Sequence, residues 1–585
     1  MEKCNIEKKN LKEQFLDLFK FEDYWSILLA TLILIFSLIT FFLVKPDNLN
    51  SMIAKQNDIM VEESLKAPFK TVTWHEAQIA KNKLNISNNF INSIKSVLDK
   101  PKSWVNNPIE SIILTETGAA AKGLPYKEKY EKALQNSQMK KTEALALEKM
   151  AQDHGFNNPQ LNQEAIEAID GWLDSISVAD KLKSKAIVKP YNHLPTLAIL
   201  GIFICLYFSM GMKKMGRSTG NFFKGFPCVF ALSILAYLLG AQVTMKAWGL
   251  EYVFWGLVLG LIISNTIGTP KVVLEAAQTE YYIKTGLILL GSTVLINKVL
   301  LIGIPGIFVT WVVTPVVLVL TFTFGDKIIK MESKSLNMVM SADMSVSGVS
   351  AAIAAAAACK AKKEELTLSV GISIMFTAFM MIAMPMIIKK IGMDPVLGGA
   401  WIGGTIDSTG AVVAAGEYLG PVARDVAATI KMIQNVIIGV MALGVAAYWS
   451  LKVDTSMAKE SDFSFKGSLQ EIWKRFPKFI LGFIGASILF SGIYSLLGTE
   501  VSKIIIDKGV VKAIISPLQG WLFCLAFTSI GLSTNFAALG KHFKGGKPII
   551  LYLVGKVINL SVTFAMAYVM FHIAFPEITK SLMDL

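Results

Sequence analysis

The sequence contains few of the side chains that cross-link secreted domains or bind metals. Its 585 residues include five cysteines and five histidines. No two cysteines have paired spacing, so neither a disulfide framework nor a zinc site is indicated. Phosphate-binding glycine loops and nucleophile–base motifs are absent too, which excludes an ATP-driven pump and an enzyme from our prediction. The cysteines are Cys4, Cys205, Cys228, Cys359 and Cys524.

Charged residues are also scarce, at 17% of the chain against 53% hydrophobic residues. The apolar residues form blocks of about 20, the length of a helix that spans a bilayer. Most lysines and arginines stand in short links between these blocks, so the positive-inside rule explains the net charge of +13 without nucleic acid. We predict an all-α polytopic membrane protein whose partners include the lipid bilayer and no nucleic acid.

The chain changes character along its length, and these changes predict four segments. The second segment, residues 25–44, is long and apolar and lacks a small-residue cleavage site, which favours an uncleaved anchor. The third is polar, with helix-period runs and no motif that carries chemistry. The segments are a cytoplasmic start at 1–24, a transmembrane anchor at 25–44, an extracytoplasmic helical region at 45–192, and a transporter domain at 193–585 with about ten spans and two interrupted elements at 336–358 and 398–419.

The orientation follows from the link MKKMGRSTGNFFKG, which has four cations and no acid. Such a link favours the cytoplasmic side. Counting spans from it places the amino terminus inside and residues 45–192 outside.

The two interrupted elements resemble each other. SVSGVSAAIAA and DSTGAVVAA share an order of hydroxyl, glycine, apolar residue and alanine, with Ser347-Gly348 matching Thr409-Gly410. Glycine and paired hydroxyl residues are poor inside helices, so we expect each helix to start or break there. Because an open backbone in hydrocarbon is costly, it is expected only where it is buried in protein or lines a wet cavity.

A helix that starts inside the membrane presents free N–H groups and a positive dipole end. Two such starts predict a cradle for a small-molecule anion. Tight packing of small residues is the alternative explanation. The candidate substrate-binding residues are Ser345, Ser347, Gly348, Ser408, Thr409, Gly410, Lys431 and Lys556.

Asp343 and Asp407 precede the two breaks. Ionisable groups at membrane depth are costly and indicate function. Both acids are predicted to couple transport to an ion, by holding Na+ or by carrying H+; no other metal or cofactor is expected. Capping of a helix N-terminus is the alternative for each acid, and snorkelling to the interface is the alternative for Lys431.

A second internal likeness suggests repeats. GLILLGSTVLIN at 286–297 resembles CLAFTSIGLSTN at 524–535, and the span count gives these segments opposite directions. Opposite direction is typical of inverted repeats in secondary transporters. Only one confident span, 367–388, separates the interrupted elements, so an inversion there would require re-entrant hairpins. Both interpretations, interrupted helices and re-entrant hairpins, are left open.

The order SVSGVSAAIAAAAACKAKKEELTLSV, WIGGTIDSTGAVVAAGEYLG, VAATIKMIQNVI and FTSIGLSTNFAALG resembles a bacterial family of inner-membrane carriers proposed to export sulfate. That family is grouped with sodium/proton antiporters and bile-acid symporters. The resemblance covers about residues 200–575 and implies a secondary carrier. The chain departs from the family pattern at three positions: Ser347 replaces a cysteine, Asp343 a glycine and Asp407 a histidine.

These patterns together predict a secondary active transporter of the bacterial inner membrane. It would carry a small anion, such as sulfate or a related sulfonate or carboxylate, coupled to Na+ or H+. A homodimer is left open. The alternative is a receptor or signalling scaffold in which residues 45–192 sense a ligand. Deleting that region would abolish all activity of a receptor, whereas a carrier would keep some transport.

Overall fold

The computed structural model describes residues 20–247, 250, 252–293, 296–346, 348–453, 478–535 and 546–584. Within these ranges, nine helices are long and apolar enough to cross a membrane, and the predicted anchor lies in one of them, Glu22–Val44. The regular structure there is helical except for one antiparallel pair of two-residue strands, β1 (Ile113–Leu114) and β2 (Tyr191–Asn192). The prediction of an all-α polytopic membrane protein is therefore confirmed.

The helices of the N-terminal third are α1 (Glu22–Val44), α2 (Leu49–Lys66), α3 (Val72–Lys83), α4 (Asn89–Leu98), α5 (Glu116–Asp153) and α6 (Pro159–Ala186). The helices from residue 194 onward are α7 (Leu194–Met212), α8 (Thr219–Gly240), α9 (Val243–Ala247), α10 (Tyr252–Thr266), α11 (Lys271–Ala276), α12 (Thr279–Gly291), α13 (Ile296–Ile307), α14 (Val313–Phe324), α15 (Lys334–Ser345), α16 (Val349–Ala358), α17 (Lys363–Lys390), α18 (Pro395–Thr405), α19 (Thr409–Leu419), α20 (Pro421–Val436), α21 (Ile438–Tyr448), α22 (Phe479–Leu497), α23 (Thr499–Ser502), α24 (Ser516–Ser533), α25 (Lys547–Tyr568) and α26 (Pro576–Asp584). Segments of π-helix extend several of these helices, at Phe308–Val312, Gly325–Ile329, Trp449–Val453, Lys503–Ile515 and Val569–Ala574.

The chain forms two compact units. The smaller unit consists of Ile35–Leu200 and Gly492–Pro517, and the larger takes in the rest, including Gly201–Ser491 and Leu518–Leu585. The smaller unit therefore contains the predicted helical region 45–192 together with a distant piece of chain. We call the two parts the helical unit and the membrane unit.

The helical unit is built around a small apolar core of Val72, Ala144, Ile169 and Trp172, which joins α3, α5 and α6. Side-chain caps mark where α3, α4, α5 and α6 begin; at α3, Thr71 Oγ1 accepts the Trp74 N–H at 3.1 Å. Such a cap satisfies a backbone donor that the helix leaves free.

The distant piece of chain, 492–517, is fixed to the helical unit by polar contacts. Lys81 forms an ion pair with Glu500. The ammonium of Lys508 donates to the carbonyl oxygens of Asn82 at 2.6 Å and Leu84 at 3.2 Å. The sequence alone does not predict this attachment, because the partners lie more than 400 residues apart.

The two segments that suggest a repeat place their glycines in similar surroundings. A Cβ added to Gly291 would lie 2.3 Å from the Phe483 carbonyl oxygen, and one added to Gly531 would lie 2.3 Å from the Leu257 carbonyl oxygen. Neither position has room for a side chain. Each glycine therefore lets its helix contact the backbone of another helix, as small residues do in membrane proteins.

The apolar blocks of the sequence predict single spans at 250–266 and 285–302, and both differ from the helices observed. The predicted span at 285–302 falls on two helices, because α12 ends at Gly291 and α13 begins at Ile296. The predicted span at 250–266 corresponds to α10, which has 15 residues. At about 1.5 Å per residue, α10 is shorter than the hydrocarbon thickness of about 30 Å.

Candidate functional site

Each interrupted element consists of two helices with a short break between them. In the first element α15 ends at Ser345 and α16 begins at Val349; in the second, α18 ends at Thr405 and α19 begins at Thr409. Ser347, one of the candidate residues, lies outside the described residues. All four helices belong to the membrane unit.

The two breaks meet at Gly348. Its backbone has φ +59° and ψ −128°, a conformation that favours glycine. A Cβ at this position would lie 3.1 Å from Asp407 Cβ and 3.3 Å from Ser373 Oγ. The residue therefore provides both an unusual backbone conformation and a close approach between the two interrupted elements.

The carboxylate of Asp407 is the centre of a buried cluster. It forms an ion pair with Lys556, and the two side chains are 2% and 4% exposed. Tyr552 donates its hydroxyl to the same carboxylate, and Ser373 Oγ donates at 3.4 Å. Because water is excluded, removal of either charge would leave the other without a partner, at a cost of about 3–5 kcal/mol.

The Lys556 ammonium also binds the ends of two broken helices. It donates to the Thr405 carbonyl at 3.0 Å, in the last turn of α18, and to the Met344 carbonyl at 3.5 Å, in the last turn of α15. Asn559 Nδ2 supports it by donating to Met344 O at 2.8 Å. A cation at a helix C-terminus complements the free carbonyl groups there.

Lys431, on α20, has an equivalent role. Its ammonium donates to Val346 O at 2.7 Å and to Gln434 Oε1 at 2.6 Å. Gln434 Nε2 in turn donates to the carbonyl oxygens of Ser345 and Gly404, both at 3.2 Å. Lys431 is fully buried, so it does not snorkel to an interface.

Asp343 lies inside α15 and is fully buried. Ser369 Oγ donates to its Oδ2 at 2.6 Å. Its Oδ1 has no partner among the described residues. Because Asp343 sits near the end of a helix rather than at its start, capping of a helix N-terminus does not account for it. Asp407 directs its carboxylate to Lys556 and Tyr552 instead of to the N–H groups of α19.

The remaining candidates have different surroundings. Thr409 Oγ1 accepts a hydrogen bond from Asn435 Nδ2 at 3.1 Å. Ser345 Oγ donates to Ala342 O in its own helix at 3.2 Å. Ser408 precedes α19 without capping it, and Gly410 packs so closely on Ile283 that a Cβ would lie 2.1 Å from its Cδ1. Gly410 therefore has a packing role.

Comparison with known proteins identifies the family. A family model described as conserved hypothetical protein 698 matches residues 224–552, which contain both breaks. A UPF0324 membrane protein of Nitratidesulfovibrio vulgaris is 48% identical over 567 residues, 97% of each chain. The chain belongs to the UPF0324 family.

Two further UPF0324 relatives match less of the chain. A UPF0324 membrane protein of Rhodopirellula baltica is 52% identical over 383 residues, 65% of this chain and 69% of the relative. The UPF0324 inner membrane protein YeiH of Escherichia coli K12 is 24% identical over 352 residues, 59% of this chain and 93% of YeiH. No solved structure matches significantly. Since the N. vulgaris match spans nearly the whole chain, the helical region 45–192 has a counterpart in that relative.

The structure of this UPF0324 protein adds polar residues to the site that the sequence did not predict. Ser369 and Ser373 lie one helical turn apart on α17, and Tyr552 lies one turn before Lys556 on α25. Spacing of four residues on one helix face was the only sequence signal for them. Gln434, three residues after Lys431, shows a similar spacing.

The cluster can therefore do two things chemically. Its acids, Asp343 and Asp407, can exchange protons, and its lysines, Lys431 and Lys556, can bind an anion. Hydroxyl and amide donors surround both pairs. The four formal charges sum to zero.

Proposed function

We propose that this UPF0324 protein is a secondary active transporter that carries a small anion, coupled to Na+ or H+. Sulfate and related sulfonates or carboxylates are the proposed substrate class. The observation that carries the proposal is the buried cluster of Asp343, Asp407, Lys431 and Lys556 where the two interrupted elements meet. Ionisable groups at membrane depth are costly, so a cluster of four supports a role in moving ions or solutes.

The proposed anion site lies between Lys556 and Lys431, beside the breaks at Gly348 and Ser408. Both lysines are buried and contact the ends of broken helices. The proposed coupling residues are Asp343 and Asp407, one on each interrupted element. A receptor that only transmits a signal has no evident use for this arrangement, because buried charges add cost without adding binding energy for an outside ligand.

Inverted repeats are part of this proposal. The similar close packing at Gly291 and Gly531 supports them, as does the contact between α12 and α24, where a Cβ on Gly286 would lie 2.6 Å from the Phe523 ring. Movement of one repeat against the other would open the cluster to each side in turn. We place the protein in a bacterial inner membrane, as the name of E. coli YeiH states for that protein. A homodimer stays a prediction.

Transport by purified protein in lipid vesicles tests the proposal. The vesicles would be offered radiolabelled sulfate, methanesulfonate or succinate under an imposed H+ or Na+ gradient. We expect wild-type vesicles to accumulate at least one of these anions under one gradient. Lys556→Met should abolish the accumulation.

Lys547→Met is the matched control, because Lys547 begins the same helix and contacts only the Lys330 carbonyl among the described contacts, at 3.2 Å. This variant should keep wild-type uptake. Wild-type vesicles that accumulate none of the three anions under either gradient would show that the proposed function is wrong.

A further inference from the structure

Asp407 has the surroundings of a bound anion. Its carboxylate forms an ion pair with the Lys556 ammonium and accepts hydrogen bonds from the hydroxyls of Tyr552 and Ser373. These donors lie on α25 and α17. It also stands just before the N-terminus of α19, where the Ser408 side chain makes no capping bond. Charge-assisted donors of this kind are the ones that bind free carboxylates and other oxyanions.

We propose that Asp407 is a tethered competitor of the transported anion: its protonation frees Lys556 and Tyr552 for a solute oxyanion, so that proton and anion bind together. This inference rests on the proposed function and specifies it as proton–anion symport. The solute class is a small oxyanion that can accept from an ammonium and a hydroxyl, such as a sulfonate, a carboxylate or sulfate.

The exchange balances without any covalent step. A proton from solvent adds to a carboxylate oxygen of Asp407. Lys556 keeps its proton and exchanges one anionic partner for another. Tyr552 keeps its proton and donates a hydrogen bond to the incoming oxyanion. Release of the solute and deprotonation of Asp407 restore the ion pair.

Burial explains why the two binding events are linked. Lys556 is 3% exposed, so it needs an anionic partner at all times, and a second anion beside an ionised Asp407 would be repelled at short range. One proton per negative charge keeps the charge of the site constant. A dianion such as sulfate would require a second proton. Asp343 could accept it, since its carboxylate interacts electrostatically with both Asp407 and Lys556.

The geometry favours H+ over Na+ as the coupling ion. Carbonyl groups at the ends of broken helices are the usual Na+ ligands in such transporters. Here the carbonyls of Met344, Val346 and Thr405 accept from the ammonium groups of Lys556 and Lys431. The chain's own cations therefore hold the positions that Na+ would need.

The charged and titratable groups that face Asp407 within the described part come from several helices. Lys556 and Tyr552 lie on α25, and Lys431 on α20 and Asp343 on α15 act on it electrostatically. From α17 only the neutral Ser373 hydroxyl contacts it. A measured pH dependence must therefore be assigned by variants, because Asp343 and Lys431 are ionisable too.

Calorimetric titration of the purified full-length protein with methanesulfonate tests the inference. Titrations in two buffers with different ionisation enthalpies give the number of protons taken up per anion bound. For the wild type we expect about one proton, and an affinity that falls about tenfold per pH unit wherever binding requires Asp407 to take up that proton. This measurement needs no variant, so it stands even if a substitution prevents folding.

Asp407→Asn should bind methanesulfonate with about one proton fewer than the wild type and with an affinity that depends less on pH. Asp326→Asn is the control, since Asp326 lies in the Gly325–Ile329 segment outside the cluster, and it should keep the wild-type pH dependence. Zero proton uptake by the wild type, a dependence of its affinity on Na+, or unchanged proton uptake in Asp407→Asn would overturn the inference while leaving transport intact. Failure of the vesicle experiment would instead overturn the proposed function.

Discussion

Gly348 is the residue at which the two interrupted elements touch. We expect Gly348→Ala to destabilise the protein, because alanine is strained at φ +59° and its Cβ would press on Asp407 and Ser373. Backbone strain of this kind costs about 1–3 kcal/mol. The unfolding midpoint of the protein in detergent measures the loss.

Gly216→Ala separates strain from crowding. Gly216 has φ +72°, but a Cβ there would meet nothing within 4 Å. The loss in Gly348→Ala should exceed that in Gly216→Ala, and transport should fall only in Gly348→Ala. Equal losses with unchanged transport would mean that the contact with Asp407 is unimportant.

Single residues of the site were predictable from sequence when they carried a charge. Asp343, Asp407, Lys431 and Lys556 stand out because an ionisable side chain in an apolar block is costly. Tyr552 and Gln434 did not stand out, since uncharged polar residues are common in buried helices. Nor could the pairing of Asp407 with Lys556 be predicted, because it depends on how α18, α19 and α25 pack.

Gln434 connects elements, since its amide bridges the ends of α15 and α18 and holds Lys431 on α20. We expect Gln434→Leu to leave the Ser345 and Gly404 carbonyls without this donor. Each unsatisfied buried group costs about 1–3 kcal/mol. The free energy of unfolding in detergent should fall accordingly.

Gln519→Leu is the matched control in α24. Gln519 is 3% exposed, and its Nε2 already lacks a partner among the described residues. Its replacement should therefore be neutral or stabilising. If both variants lose the same free energy of unfolding, the hydrogen bonds from Gln434 to the two helix ends do not specifically stabilise the protein.

Most helices could be predicted as elements because hydropathy and span length determine them. The breaks after Ser345 and Thr405 also had a sequence signal in glycine and hydroxyl residues. The division of the predicted 285–302 span had the same kind of signal, because Ser292 and Thr293 follow Gly291, but the hydropathy of the segment outweighed it in the prediction. The π-helical segments were not predicted either. Beside the one at Gly325–Ile329, the Asn337 amide donates to Phe322 O at 2.9 Å, a contact between residues 15 positions apart that the sequence does not show.

At the scale of the whole molecule, the helical unit should respond to pH through His75. Burial lowers the pKa of His75 from its ordinary 6.5, Lys70 lowers it further, and Asp170 opposes both. When the pH falls below 6.5, the unfolded chain takes up a proton that the folded unit still excludes, so stability falls. The contribution of His75 to stability is therefore fully present above pH 6.5 and is lost as the pH falls below it.

Amide hydrogen exchange in α3 of the full-length protein measures this effect as a free energy of opening. In His75→Gln, the free energy of opening should fall less between neutral and mildly acidic pH than in the wild type. Some slope should persist, because burial also lowers the pKa of His193. An unchanged slope in His75→Gln would contradict the assignment.

The orientation of the chain is a second prediction at this scale. In a variant without native cysteines, Ser87→Cys should react with a membrane-impermeant maleimide added outside intact spheroplasts, because Ser87 is exposed in the helical unit. Gly216→Cys, in the basic link after α7, should react only after lysis. The reverse pattern would place the amino terminus outside.

The division into two units was only partly predictable. A change from apolar to polar composition marked residues 45–192. No local signal could show that 492–517 joins the same unit, since this depends on contacts such as Lys508 with Asn82.

The charge balance of the cluster has a consequence for the voltage across the membrane. With both acids and both lysines in their ionised forms, the four side chains carry no net charge. A membrane potential of 100 mV does about 2.3 kcal/mol of work on each elementary charge that it moves, and so none on a neutral group of charges that shifts as one. In the proposed transport cycle, the return of the empty carrier would then be insensitive to voltage, and concentration and proton gradients alone would set the direction of the cycle.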